Sequence, residues 1–174
     1  MKKFLLIFAL FFCACGYKPV GLMTKDIISD SVFVDVIIYR NDPQNSVAIK
    51  DGVRDAVIKR LGRDLSDKQS AQTIIIASIS SVEFMPISFD KYGFINAYEA
   101  VVAINYQVKL KDGSMQNIST TGTSTFRMSQ QIEGTIYTDS VISNKDRYNA
   151  IYKASSESFD EFIAKLALLS KKDK

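Results

Sequence analysis

Between Tyr98 and Leu110 the chain alternates cleanly. Val102, Ile104, Tyr106, Val108 and Leu110 fall on one side, and Ala103, Asn105, Gln107 and Lys109 on the other. A period of two over that length predicts a half-buried strand. Lys111-Asp112-Gly113-Ser114 follows as a tight turn, so the next strand, Ile118 to Met128, should return antiparallel. It carries Ser119, Thr121, Thr123, Thr125 and Arg127 on one face. Thr73 to Phe84 is rich in Ile and Val, and Ser31 to Tyr39 is a β-branched run; both predict strands. Met85 to Phe94 separates two strands as a loop with a turn at Asp90 to Gly93, although it carries Met85, Ile87, Phe89, Tyr92 and Phe94. These side chains either pack back on the core or form a contact surface for a partner.

Two segments have helical periodicity. In the first, Asp42 can cap a helix with Pro43 in its first turn. Val47, Val53 or Val57, Ala56 and Leu61 form its apolar stripe, Lys59 and Arg60 suit its last turn, and Gly62 can close it. Gly52 weakens it. The second, Asn144 to Leu169, places Tyr148, Ile151 or Tyr152, Ser155, Phe159, Phe162 or Ile163 and Leu166 on one face. The order β-α-β-β-β-α predicts an α+β two-layer sandwich, one four-stranded mixed sheet with both helices packed on one face. The first strand can lie parallel to a neighbour through a right-handed crossover. The other sheet face would show Thr, Ser, Asn, Gln and Lys, a surface that is wet by default and also able to dock a partner.

The N-terminus is of another kind. Lys2 and Lys3 precede the apolar run Phe4 to Phe12, which is too short to span a bilayer, and Ala14-Cys15 follows. This predicts a lipoprotein signal at residues 1–14, removed so that Cys15 becomes the first residue and carries diacylglycerol and an N-acyl chain. The alternative is an ordinary secretory signal with an incidental cysteine. Gly16 stands where an Asp would resemble an inner-membrane retention signal, which favours the outer membrane. Residues 15–30, with Lys18-Pro19 and Gly21, read as a lipidated tether, 31–170 as a single domain and 171–174 as a charged tail.

Removing the signal leaves about 160 residues, enough for one domain with a real core. The net charge falls from +3 to about +1, so nucleic-acid binding is unsupported. Cys15 is then the remaining cysteine and its sulfur is used by the lipid, which leaves none for a disulfide. Histidine is absent, and with it the commonest general base and metal ligand. Glu83, Asp90, Glu99 and Asp139 show no spacing that a mechanism requires, and Ser124 or Ser129 would need a lysine base. No phosphate-cradling glycine loop or metal cluster is seen, so the reading is a non-catalytic binding or assembly protein with no catalytic residues, metal or dissociable cofactor.

Cys15-Gly16-Tyr17 followed by strand, helix, three strands and helix over residues 31–169 resembles the LptE family of lipopolysaccharide-assembly lipoproteins. Phe89-Asp90-Lys91-Tyr92-Gly93 leading to Ala97-Tyr98-Glu99-Ala100 is similar to that family's central hairpin, and Phe126-Arg127 also fits. The resemblance implies an outer-membrane lipoprotein anchored in the inner leaflet. It would plug the LptD β-barrel, help it fold, and assist lipopolysaccharide transport. It further implies partner contacts at Phe89 and Tyr92 and lipopolysaccharide contacts at Lys91 and Lys145. Lys145 and Arg147 open a helix whose dipole disfavours cations, so an anionic ligand would account for them, as would plain solvation. Other classes stay open: an adaptor of a different envelope machine, a lipid carrier, or a lipid-anchored enzyme.

Overall fold

Tyr106, Phe159 and Phe162 form the middle of the core. Tyr106 stacks on Phe162 at 4.5 Å between centroids and meets Phe159 edge-on at 6.0 Å. All three are fully buried, and truncating either phenylalanine should cost about 3–5 kcal/mol. The tyrosine lies on a sheet and the phenylalanines on a helix, so this cluster joins the two layers. The computed structural model describes residues 24–37, 43–128 and 142–172. The leader, Cys15 and most of the tether lie outside the described residues, as do Tyr39, Asp42, Ser129 and Asp139.

The elements are β1 (Ser31–Ile37), α1 (Pro43–Ala56) with a π-helical turn (Val57–Leu61), β2 (Asp64–Leu65), β3 (Thr73–Phe89), β4 (Ile95–Lys109), β5 (Met115–Arg127) and α2 (Asn144–Lys172). The sheet order is β2-β1-β3-β4-β5. β1 runs parallel to β2 and β3; β3, β4 and β5 are antiparallel. The α+β sandwich is as expected, with five strands instead of four. The extra strand, β2, pairs only Asp64 and Leu65 with Ser31 and Val32, too short a stretch to leave a periodic signal.

Alternation in β4 and β5 resolves as predicted. Val102, Ile104, Tyr106, Val108 and Leu110 are buried, while Asn105, Gln107 and Lys109 are exposed. Ser119, Thr121, Thr123, Thr125 and Arg127 face solvent. The turn at Lys111–Ser114 closes as expected, with Gly113 at φ 86°, a value that favours glycine. Val47 departs from its predicted stripe and is 50% exposed. The buried face of α1 runs instead through Asn45, Ala48, Ile49, Gly52, Val53 and Ala56, because this face meets both β1 and α2.

The helices run parallel. Tyr148 donates to Asp51 at 2.7 Å, Tyr152 to Asp55 at 2.6 Å, and Arg60 meets Asp160 at 3.1 Å. The bond to Asp51 pushes the Tyr148 hydroxyl up to about 12. Gly52 permits this approach: a Cβ there would lie 2.6 Å from the Tyr152 carbonyl oxygen. Its helix-weakening absence of a side chain is therefore what lets α1 dock.

α2 also lies close on β5. A Cβ at Gly122 would sit 1.9 Å from the Ala154 carbonyl oxygen. Along the outer edge of β5, the Thr123 N–H donates to Glu157 at 2.7 Å and the Thr121 N–H to Glu161 at 2.9 Å. Lys165 donates to the Ser119 carbonyl at 2.8 Å. These three side chains occupy backbone groups that would otherwise be open to another strand.

Candidate functional site

β3 and β4 extend past the start of α2 as a long hairpin. The expected loop at Met85–Phe94 is largely strand, since β3 runs through Phe89 despite Pro86. Proline is tolerated in a strand where its missing N–H leaves no ladder bond unmade, and among the described residues β1 pairs with β3 only as far as Ser78. The turn itself is where the sequence placed it. Asp90 Oδ1 accepts the N–H groups of Tyr92 at 2.8 Å and Phe94 at 2.9 Å, and Gly93 takes φ 86°. With the Gly93 N–H bonded to the Asp90 carbonyl oxygen at 3.1 Å between those two, Asp90 is a rigid local lock.

That lock holds a set of apolar side chains in solvent. Met85, Ile87, Phe89, Tyr92 and Phe94 are between 41% and 58% exposed, so the hairpin end does not pack back on the core. Lys91 Nζ lies 4.8 Å from the Tyr92 ring centroid, a cation over an aromatic face. The tip therefore gathers Phe89, Lys91 and Tyr92 in one place.

Below the tip, the register unites aromatics distant in sequence. Tyr98 pairs with Phe126 across β4 and β5 and stacks on it at 5.9 Å, and Phe84 meets Phe126 edge-on at 6.0 Å. The Arg147 guanidinium lies 5.0 Å from the Phe84 ring. An arginine of α2 thus rests on the base of the hairpin. Lys145, in the same helical turn, is exposed. Ser143 caps this helix: its Oγ accepts from the Asp146 N–H at 3.1 Å and donates to the Asp146 carboxylate at 2.6 Å. Asp146 offsets the cations locally.

Two open grooves flank this region. One, of about 720 Å³, is bordered by Ile87, Asp90, Phe126 and Arg127. The other, of about 310 Å³, lies between the starts of the two helices and is bordered by Asn45, Asn144, Arg147 and Tyr148. Among the described residues, no three His, Cys, Asp or Glu side chains gather as a metal site would need. Nor is any described helix long and apolar enough to cross a membrane.

The Tyr98–Phe126 pair was readable in principle, since the Lys111–Ser114 turn sets Lys109 opposite Met115 and the register continues unbroken to Tyr98. The contact of Arg147 with Phe84 depends on how α2 docks, and no local pattern announces it. The edge contacts of Glu157, Glu161 and Lys165 had one signal, their shared helical face at steps of four.

A family model described as LptE, lipopolysaccharide-assembly, matches residues 32–166. No curated protein matches the sequence. Among solved structures, a lipoprotein from Caulobacter crescentus CB15 is similar with a TM-score of 0.51 at 14% identity, over 90% of this chain and 98% of that one. Rare lipoprotein B from Shewanella oneidensis aligns with a TM-score of 0.38 at 13% identity, over 59% of this chain and 73% of that one. Lipoprotein B from Nitrosomonas europaea aligns with a TM-score of 0.39 at 11% identity, over 81% and 84%.

Proposed function

Because this chain belongs to the LptE family of lipopolysaccharide-assembly proteins, we propose that it is an outer-membrane lipoprotein. In this reading it plugs the LptD β-barrel, helps that barrel assemble, and assists lipopolysaccharide on its way to the surface. The observation that carries this is the hairpin end, where a turn locked by Asp90 holds Phe89 and Tyr92 each 58% exposed. A surface of that kind fits a partner better than water.

The open sheet face agrees with such a location. It presents Asn105, Gln107, Ser119, Thr121, Thr123 and Thr125 to the exterior, and the lumen of a membrane β-barrel is polar as well. The anchor in this reading is lipid on Cys15, and Gly16 after it favours outer-membrane sorting. Lys91 at the tip and Lys145 at the start of α2 would meet lipopolysaccharide phosphates, with Arg147 beside them. The protein's task is positioning and assembly; no step of bond making is assigned to it.

The test is the double replacement Phe89→Ser and Tyr92→Ser. Both side chains are exposed, so circular dichroism should match the parent while recovery of the barrel complex falls. Normal recovery would count against the hairpin as the contact.

A further inference from the structure

The two long edges of this sheet are treated differently. On β5, Glu157, Glu161 and Lys165 occupy the outward backbone groups of Thr123, Thr121 and Ser119. Among the described residues, β3 pairs with β1 as far as Ser78, and β4 is its one strand neighbour beyond that point. Exposed strand edges are usually blunted, as the β5 edge is here. The β3 edge keeps a regular stretch. Between the register shifts at Ile79/Ser81 and Pro86/Ser88, residues Ser81 to Pro86 pair with β4 without interruption. That length matches an ordinary short strand. Pro86, with no N–H to donate, sets its far limit.

We propose that the outer edge of β3 from Ser81 to Pro86 is a strand-addition site. Its occupant is an extended segment of a protein partner that alternates apolar residues with lysine or arginine. The inference rests on the reading of the hairpin as a partner contact and adds the mode of binding. The alternation follows from the two faces of this edge. Val82 and Phe84 lie on the helix side, half-buried against the core, and call for apolar neighbours on an added strand. Glu83 is exposed on the opposite face. Glu83 is in no ion pair among the described residues, so a cation opposite it on the added strand would meet its negative charge. A second copy of this chain fits less well, because antiparallel pairing of two β3 edges sets Glu83 of both copies on one face. Backbone hydrogen bonds would supply affinity and the alternating side chains selectivity.

The probe is a short fluorescent peptide alternating valine with lysine, compared with a glutamate analogue and with a copy N-methylated on alternate backbone nitrogens. The lysine peptide should bind in an anisotropy titration and slow hydrogen exchange at residues 81–86. N-methylation should weaken it at least about tenfold, because one edge of the peptide loses its donors. Glu83→Lys should transfer the preference to the glutamate peptide. Absence of binding, protection elsewhere, or indifference to both N-methylation and Glu83→Lys would overturn the proposal. So would concentration-dependent dimerisation that protects 81–86 with no peptide present. If the peptides fail while the Phe89→Ser and Tyr92→Ser protein still loses its barrel, strand addition falls and the hairpin contact stands.

Discussion

Replacing Gly122 by alanine should destabilise the domain, although the same change in an open strand would not. Removing a glycine where the backbone is unstrained and space is free typically gains about 0.4–1 kcal/mol through the unfolded state. Here the new methyl group would stand 1.9 Å from the Ala154 carbonyl oxygen and 2.4 Å from the Ser158 nitrogen. Both are backbone atoms of α2, so no side chain can rotate away. The helix must withdraw from β5 by about an ångström, the kind of overpacking that costs about 1–3 kcal/mol and occasionally more. Withdrawal also stretches the buried Thr120–Ser158 hydroxyl contact at 2.7 Å and the Glu157 and Glu161 bonds to the edge of β5. The clash therefore outweighs the entropic gain, and a net loss of about 3 kcal/mol is expected. For a domain of this size that corresponds to roughly 6–12 °C in Tm. Calorimetry of the soluble Cys15→Ser protein, with and without Gly122→Ala, measures it. An unchanged or higher Tm would refute the claim that α2 rests directly on the β5 backbone.

Other consequences are equally concrete. The Thr121 N–H, and after it Lys165, hold the Glu161 carboxyl below its usual 4.5. Its contribution to stability should be whole above about pH 5 and disappear as pH falls through the depressed value. Glu161→Gln should flatten Tm against pH in that acid range, and an unaltered profile would dismiss the bond. Cys15→Ser should move the protein from the membrane pellet to the soluble fraction, and mass spectrometry of the parent should find an acylated N-terminus at residue 15. Lys91→Asp and Lys145→Asp should weaken lipopolysaccharide binding by the purified protein, more so at low salt, where exposed charges are least screened. Parental binding at every ionic strength would remove both lysines from the contact.

The layered fold was legible because β4 and β5 are half-buried, and a half-buried strand writes its two environments into alternate residues. The amphipathic α2 was legible for the same reason. Elements settled by tertiary contact were not. β2 is two residues long and exists because β1 offers an edge. β3 continues past Pro86, where a proline argues against a strand, because β4 pairs with it as far as Phe89. Gly52 and Gly122 carry no local signature of close approach; each is meaningful only beside the backbone of α2. The hairpin tip was visible as apolar residues around a turn at Asp90 to Gly93. Arg147 over Phe84 was not, since it joins the last helix to a strand far from it in sequence.

In the proposed function the exposed hairpin end meets a membrane β-barrel. A photo-reactive amino acid at position 89, introduced into the lipidated protein in its own cells, tests it most directly. After irradiation, a covalent adduct with a large outer-membrane β-barrel should be identified by mass spectrometry, and it should be absent from the same protein that is not irradiated. An intact, correctly localised protein that gives no barrel adduct from position 89 would contradict it.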